Sequence, residues 1–130
     1  MRENDVGKQI VDAAVKIHQA LGPGLLESVY EAVLAMELGD RGLSVKRQVP
    51  VSIKHKGLRF DEGFRADIIV EDIIILELKS VEQINKIHQK QLYTYLKLTE
   101  ARLGFILNFG AALMKDGIKR MVNGLPDVDA

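Results

Sequence analysis

Cysteine and tryptophan are absent from the 130 residues, proline occurs three times, and the aromatic complement is four Phe and three Tyr. Without thiols there are no disulfides and no thiolate zinc sites. No run approaches the roughly 18–20 consecutive apolar residues of a membrane span. The start, Met1-Arg2-Glu3-Asn4-Asp5, puts no apolar stretch behind a positive charge, so no secretory signal is expected and a cytoplasmic location is. Excess charge is missing too: 18 basic and 18 acidic residues cancel, which argues against a protein that coats nucleic acid by bulk charge. What remains is a chain that is 47% hydrophobic, enough for a packed core, with a length that fits one domain, residues 1–130.

Charge is clustered although its sum is zero. Arg41, Lys46, Arg47, Lys54, Lys56, Arg59 and Arg65 face only Asp61 and Glu62 within residues 41–65, and Lys79, Lys86, Lys90 and Lys97 follow. Such clusters build either a cationic rim around an anionic pocket or solvated outer faces.

Apolar periodicity gives the element order. Val6, Ile10, Ala13, Ile17 and Leu21 predict a helix over 3–21, stopped by Gly22-Pro23-Gly24. A second helix starts near Leu25, with Leu26, Val29, Tyr30, Val33 and Leu34 facing inward, and ends between Gly39 and Gly42. From Ser44 the period becomes two, through Val45, Arg47, Val49, Val51 and Ile53, and Pro50 places this strand near a sheet edge or a bulge. After a turn at Lys56-Gly57, Phe64–Val70 and Ile73–Leu78 read as a hairpin of apolar strands. A helix over 82–98, a strand over Leu103–Phe109 and a tight hairpin at Asp116-Gly117 complete an α/β fold with a mixed sheet.

The two central apolar strands carry ionisable groups, Asp67 in one and Glu77 and Lys79 in the other. A buried, unpartnered carboxylate costs several kcal/mol. Two of them about 4 Å apart repel by about 4 kcal/mol at an effective dielectric of about 20. A divalent cation, the Lys79 ammonium, or both must offset this. Glu77 and Lys79 share a strand face because side chains alternate. A three-residue connection, Glu71-Asp72-Ile73, sets Asp67 opposite Glu77; a two-residue turn sets it opposite Leu76 and separates the acids. An Asp67–Glu77 pair suits Mg²⁺ or Mn²⁺, with Lys79 beside it to orient or deprotonate a water or to stabilise phosphate charge. The other reading is an internal Glu77–Lys79 ion pair with Asp67 exposed.

On the helix over 82–98 the expected inward stripe is Ile84, Ile87, His88, Gln91, Leu92, Tyr95 and Leu98. Gln91 and Tyr95 then require polar partners, either the carboxylates, a substrate phosphate, or each other. Glu27 suits the first turn of its helix electrostatically. His18, His55 and His88 show no metal-ligand spacing, and no nucleophile arrangement or phosphate-cradling glycine loop is present.

The segment "LGPGLLESVYEAVL" resembles the signature of the GxxExxY proteins, a group within the PD-(D/E)XK nuclease-like superfamily. "FRADIIV", "LELKS", "QLYTYLKLT" and "LGFILNFG" follow in the order and spacing of that superfamily, so the likeness covers nearly the whole chain. Ala66 stands where the superfamily name implies proline. The resemblance implies a restriction-endonuclease-like core, a central mixed sheet flanked by helices in the order α, β, β, β, α, β. It also implies that Asp67, Glu77 and Glu27 bind metal, that Lys79 is catalytic, and that Gln91 and Tyr95 form the helix motif of the exonuclease-type and repair-associated branch. The expected activity is a Mg²⁺- or Mn²⁺-dependent phosphodiester hydrolase acting on nucleic acid, DNA first, without a membrane partner, and with a homodimer conceivable through an edge strand. The rival expectations are a nuclease-fold binding or regulatory module without turnover, and a small-molecule phosphoesterase.

Overall fold

The computed structural model describes residues 2–126. Its elements are α1 (Arg2–Leu21), α2 (Glu27–Asp40), β1 (Val45–His55), β2 (Leu58–Val70), β3 (Ile74–Lys79), α3 (Lys86–Thr99), β4 (Leu103–Asn108), α4 (Met114–Gly117) and β5 (Ile118–Val122). The strands form one sheet in the order β1-β2-β3-β4-β5. Only β3 and β4 are parallel, joined by the crossover helix α3, and the other neighbours are antiparallel. The expected mixed α/β sheet flanked by helices is therefore the observed one.

Each sheet face buries its own core. Ile10, Ala13, Ala14 and Ile17 of α1 and Tyr30, Leu34 and Leu38 of α2 pack with Ile68, Leu76, Leu78, Phe105 and Leu107. On the other face Leu92 and Leu96 of α3 pack with Phe64, Ala66, Ile75 and Ile106. Alternation along β3 sorts Leu76 and Leu78 to the first face and Ile75 to the second.

β1 is the sheet edge that Pro50 suggested, and its register with β2 shifts between Val51 and Ile53. Val45 packs with the α1/α2 layer, whereas Val49, Val51 and Ile53 pack with the α3 layer. The strand changes sides around Gln48, a non-glycine residue at φ 50° in the left-handed region. Beyond this point the β1–β2 ribbon continues as an arm in which residues 54–63 are all exposed.

Four expectations need correction. β2 begins at Leu58 rather than Phe64, because the arm pairs down to His55 and Leu58. Asp116-Gly117 is not a tight hairpin turn: it ends the short helix α4, where a Cβ on Gly117 would lie 2.3 Å from the Asn108 carbonyl oxygen. The inward stripe of α3 is Leu92 and Leu96, while Ile87, Leu98 and Gln91 are exposed. Likewise α2 buries Tyr30, Glu31, Leu34 and Leu38, and leaves Leu26 74% exposed.

Candidate active site

The β2–β3 connection is the three-residue one, Glu71-Asp72-Ile73, between the partners Val70 and Ile74. Glu71 and Asp72 both adopt left-handed φ, 54° and 58°, a conformation that costs about 1–2 kcal/mol per non-glycine residue. Neighbours hold it: the Glu71 N–H donates to the Ser44 carbonyl at 2.8 Å, the Ser44 N–H donates to Glu71 Oε2 at 2.5 Å, and Lys46 pairs with Asp72 at 2.8 Å. The turn sets the pairs Val70↔Ile74, Ile69↔Ile75 and Ile68↔Leu76. One step further, that register puts Asp67 opposite Glu77.

There the main-chain ladder gives way to side chains. The Asp67 N–H donates to Glu77 Oε2 at 3.0 Å, and the Leu78 N–H donates to Asp67 Oδ2 at 2.9 Å. Each carboxylate thus spends one oxygen on the opposite strand, and its other oxygen joins no hydrogen bond among the described residues. Burial raises the Asp67 pKa, with Glu31 and Glu27 adding to it against the Leu78 N–H. Burial, and after it the Asp67 charge, raises Glu77 to about 8 against the Asp67 N–H and Lys79, which draw it down. Lys79 is half-buried beside them, yet among the described residues neither acid nor Lys79 joins an ion pair, so the internal Glu77–Lys79 pair does not form.

The α2 motif reaches this site through a clamp. Tyr30, fully buried and stacked on Phe109 at 4.4 Å, donates its hydroxyl to the Gly22 carbonyl at 2.6 Å and accepts the Leu25 N–H at 3.0 Å. Gly24 supplies the φ of 96° that this loop needs. The pinned loop presents the Leu25 carbonyl to the Ser80 hydroxyl at 2.6 Å and Glu27 Oε2 to the Ser80 N–H at 3.2 Å. From the other side, buried Asn108 accepts the Val81 N–H at 3.0 Å and donates to the Val81 carbonyl at 2.9 Å. Ser80 and Val81, directly after Lys79, are gripped by both neighbouring elements.

Of the expected residues, the fold brings Asp67, Glu77 and Lys79 together and places Glu27 next to them at Ser80. Tyr95 is half-buried, stacked on Phe64 with ring centroids 3.8 Å apart, and its pKa is raised by burial, then by the Glu77 and Asp67 charges. Gln91 lies exposed on α3 and shares no hydrogen bond with the acids. Among the described residues no group of three or more His, Cys, Asp or Glu side chains is gathered to hold a metal ion.

Glu31 was not legible as a site neighbour. It is 6% exposed, bonded to Arg47 Nε at 3.0 Å and Gln48 Nε2 at 2.7 Å, and its charge raises both Asp67 and Glu77. Its position four residues after Glu27 on one helix face is the signal that could have shown it. Ser80 and Asn108 were also missed; a polar Asn ending a strand otherwise buried throughout was the available hint.

A family model for the PD-(D/E)XK nuclease superfamily matches residues 4–121, from α1 through β5. The chain belongs to that superfamily. Neither a curated protein nor a solved structure gives a significant match. Among the described residues no helix is long and apolar enough to cross a membrane.

Proposed function

We propose that this chain is a divalent-metal-dependent phosphodiester hydrolase acting on nucleic acid, with DNA as its first substrate. The supporting observation is the crossed Asp67–Glu77 pair: two half-satisfied carboxylates, both with raised pKa, on strands that the hairpin turn holds in register. Hard oxygens with no cationic partner fit Mg²⁺ or Mn²⁺, which bind through one or two carboxylates plus waters and phosphate.

When bound, the metal supplies a hydroxide and neutralises phosphate charge. Asp67 and Glu77 hold it, and Glu27 completes the acidic wall from α2. Lys79 orients the attacking water and offsets charge on the phosphate. Tyr95, on which the Glu77 and Asp67 charges act, lends its hydroxyl to the site from α3, while Gln91, exposed on the same helix, serves a phosphate rather than the carboxylates.

A nuclease-fold binding module without turnover is the rival, favoured by the lack of a third gathered ligand among the described residues. Incubation of labelled linear and circular DNA with Mn²⁺, comparing wild type with Glu77→Ala and Lys79→Ala, separates the two. Cleavage by wild type that both substitutions abolish, with unchanged circular dichroism, supports the hydrolase. Equal background cleavage by all three proteins contradicts it.

A further inference from the structure

Fold and ion pairing together decide which cations are left for a polyanion. Within 41–65, Arg41, Lys46, Arg47, Arg59 and Arg65 are spent on neighbouring carboxylates, and Lys54 and Lys56, which join no ion pair among the described residues, lie out on the exposed arm. On α3, Lys86 and Lys90 also join no ion pair among the described residues. Both line a groove of about 830 Å³ between α3 and the edge strand β5, together with Tyr93, Arg120, Met121 and Val122. No Asp or Glu lines it among the described residues.

The floor of this groove is aromatic and apolar. Tyr93 is 41% exposed, and Lys97 Nζ sits over its ring, 5.8 Å from the centroid. Met121 of β5 packs on the α3 side of the sheet, whereas Arg120, opposite Phe105, turns to the α1 side with Nη2 on Asn4 Oδ1 at 2.8 Å. A duplex hides its base faces and offers a groove only phosphates. A single strand offers phosphates for Lys86 and Lys90 and bases for Tyr93 and Met121.

The groove and the carboxylates occupy opposite flanks of one helix. Tyr95 stacks on Phe64 toward the acids, whereas Tyr93, two residues earlier and so about 200° around the helix, points into the groove. We infer that the α3–β5 groove is a subsite for single-stranded nucleic acid, which stacks its bases on Tyr93 and sets its phosphates on Lys86 and Lys90. This rests on the nucleic-acid reading of the site and extends it to strandedness. Tyr93 is a binding residue here and takes no part in bond cleavage.

The test is fluorescence anisotropy of a labelled 12-nucleotide oligothymidylate and of a 12-base-pair duplex, in EDTA so that nothing is cut. Wild type should bind the single strand more tightly. Tyr93→Ala should weaken that binding about 5- to 150-fold, the span of one lost stacked base, and leave the duplex unchanged. Tyr93→Phe should keep it. Lys86→Gln with Lys90→Gln should flatten the slope of log affinity against log salt by about 1.4 for a single strand. These residues are surface-exposed on α3, and matched thermal melts exclude misfolding. Wild-type affinity in the Tyr93→Ala and double-lysine variants overturns the subsite. So does a groove that serves only to pair two copies, seen as a dimer in light scattering that Tyr93→Ala breaks without any effect on oligonucleotide. Binding through the groove with no cleavage in Mn²⁺ keeps the subsite and removes the hydrolase. Cleavage with unchanged binding in the variants does the reverse.

Discussion

Asp67 and Glu77 are joined through a main-chain donor: the Asp67 N–H points at Glu77 Oε2 from 3.0 Å, where the next ladder bond of the hairpin would otherwise lie. The acids are thereby fixed side by side with one oxygen each in use, and neither joins an ion pair among the described residues. Most of the behaviour expected of this protein follows from that relationship.

The first consequence is a pH dependence of opposite sign to that of a salt-bridged acid. Glu77 titrates near 8 in the fold against 4.5 when free, so between these values the native state binds more protons than the unfolded chain. Its contribution to stability is therefore full below about 4.5 and declines as pH rises through about 8. In EDTA, Glu77→Gln should remove the decline and gain on the order of 2–4 kcal/mol over wild type at pH 8, with little gain at pH 4.5. Urea melts at the two pH values check it, and a constant difference across the range would contradict it.

Asn108 should matter to the position of Lys79 more than its distance from the acids suggests. It stands opposite Lys79 in the parallel β3–β4 register and bonds the N–H and carbonyl of Val81. Asn108→Ala leaves these buried groups unpaired and should cost about 2–3 kcal/mol. Hydrogen exchange at the Val81 amide should accelerate selectively, and any cleavage should fall in kcat rather than rise in KM. Unchanged protection at Val81 would remove Asn108 from this role.

Tyr30→Phe keeps the ring on Phe109 and deletes only the bridge between the Gly22 carbonyl and the Leu25 N–H. A loss of about 1–2 kcal/mol is expected by chemical denaturation. Because the same loop carries the contacts to Ser80, faster exchange at the Ser80 amide should accompany it. A variant as stable as wild type, with Ser80 equally protected, would reduce Tyr30 to a packing residue.

Much of this site could be read before the fold was seen, for a definite reason. Strand side chains alternate, so the length of the Glu71-Asp72-Ile73 connection alone decides whether Asp67 and Glu77 meet, and the left-handed pair Glu71 and Asp72 realises the odd length. Glu31 was not visible because an acid on a helix face reads as solvated unless its partners are known, and Arg47 and Gln48 come from another element. Gln91 was assigned inward by periodicity, but α3 docks where Gly104 leaves room on β4. A Cβ on Gly104 would lie 3.1 Å from both Leu92 Cδ1 and Leu96 Cδ2. That close approach rotates Leu92 and Leu96 onto the sheet and Gln91 outward.

Calorimetric titration of Mn²⁺ at pH 8 into wild type, Asp67→Asn and Glu77→Gln tests the counter-ion claim most directly. One saturable site in wild type, with a matching rise in melting temperature and loss of both effects in either variant, is the predicted result. A wild type indifferent to Mn²⁺, or variants that bind it equally well, would contradict the account.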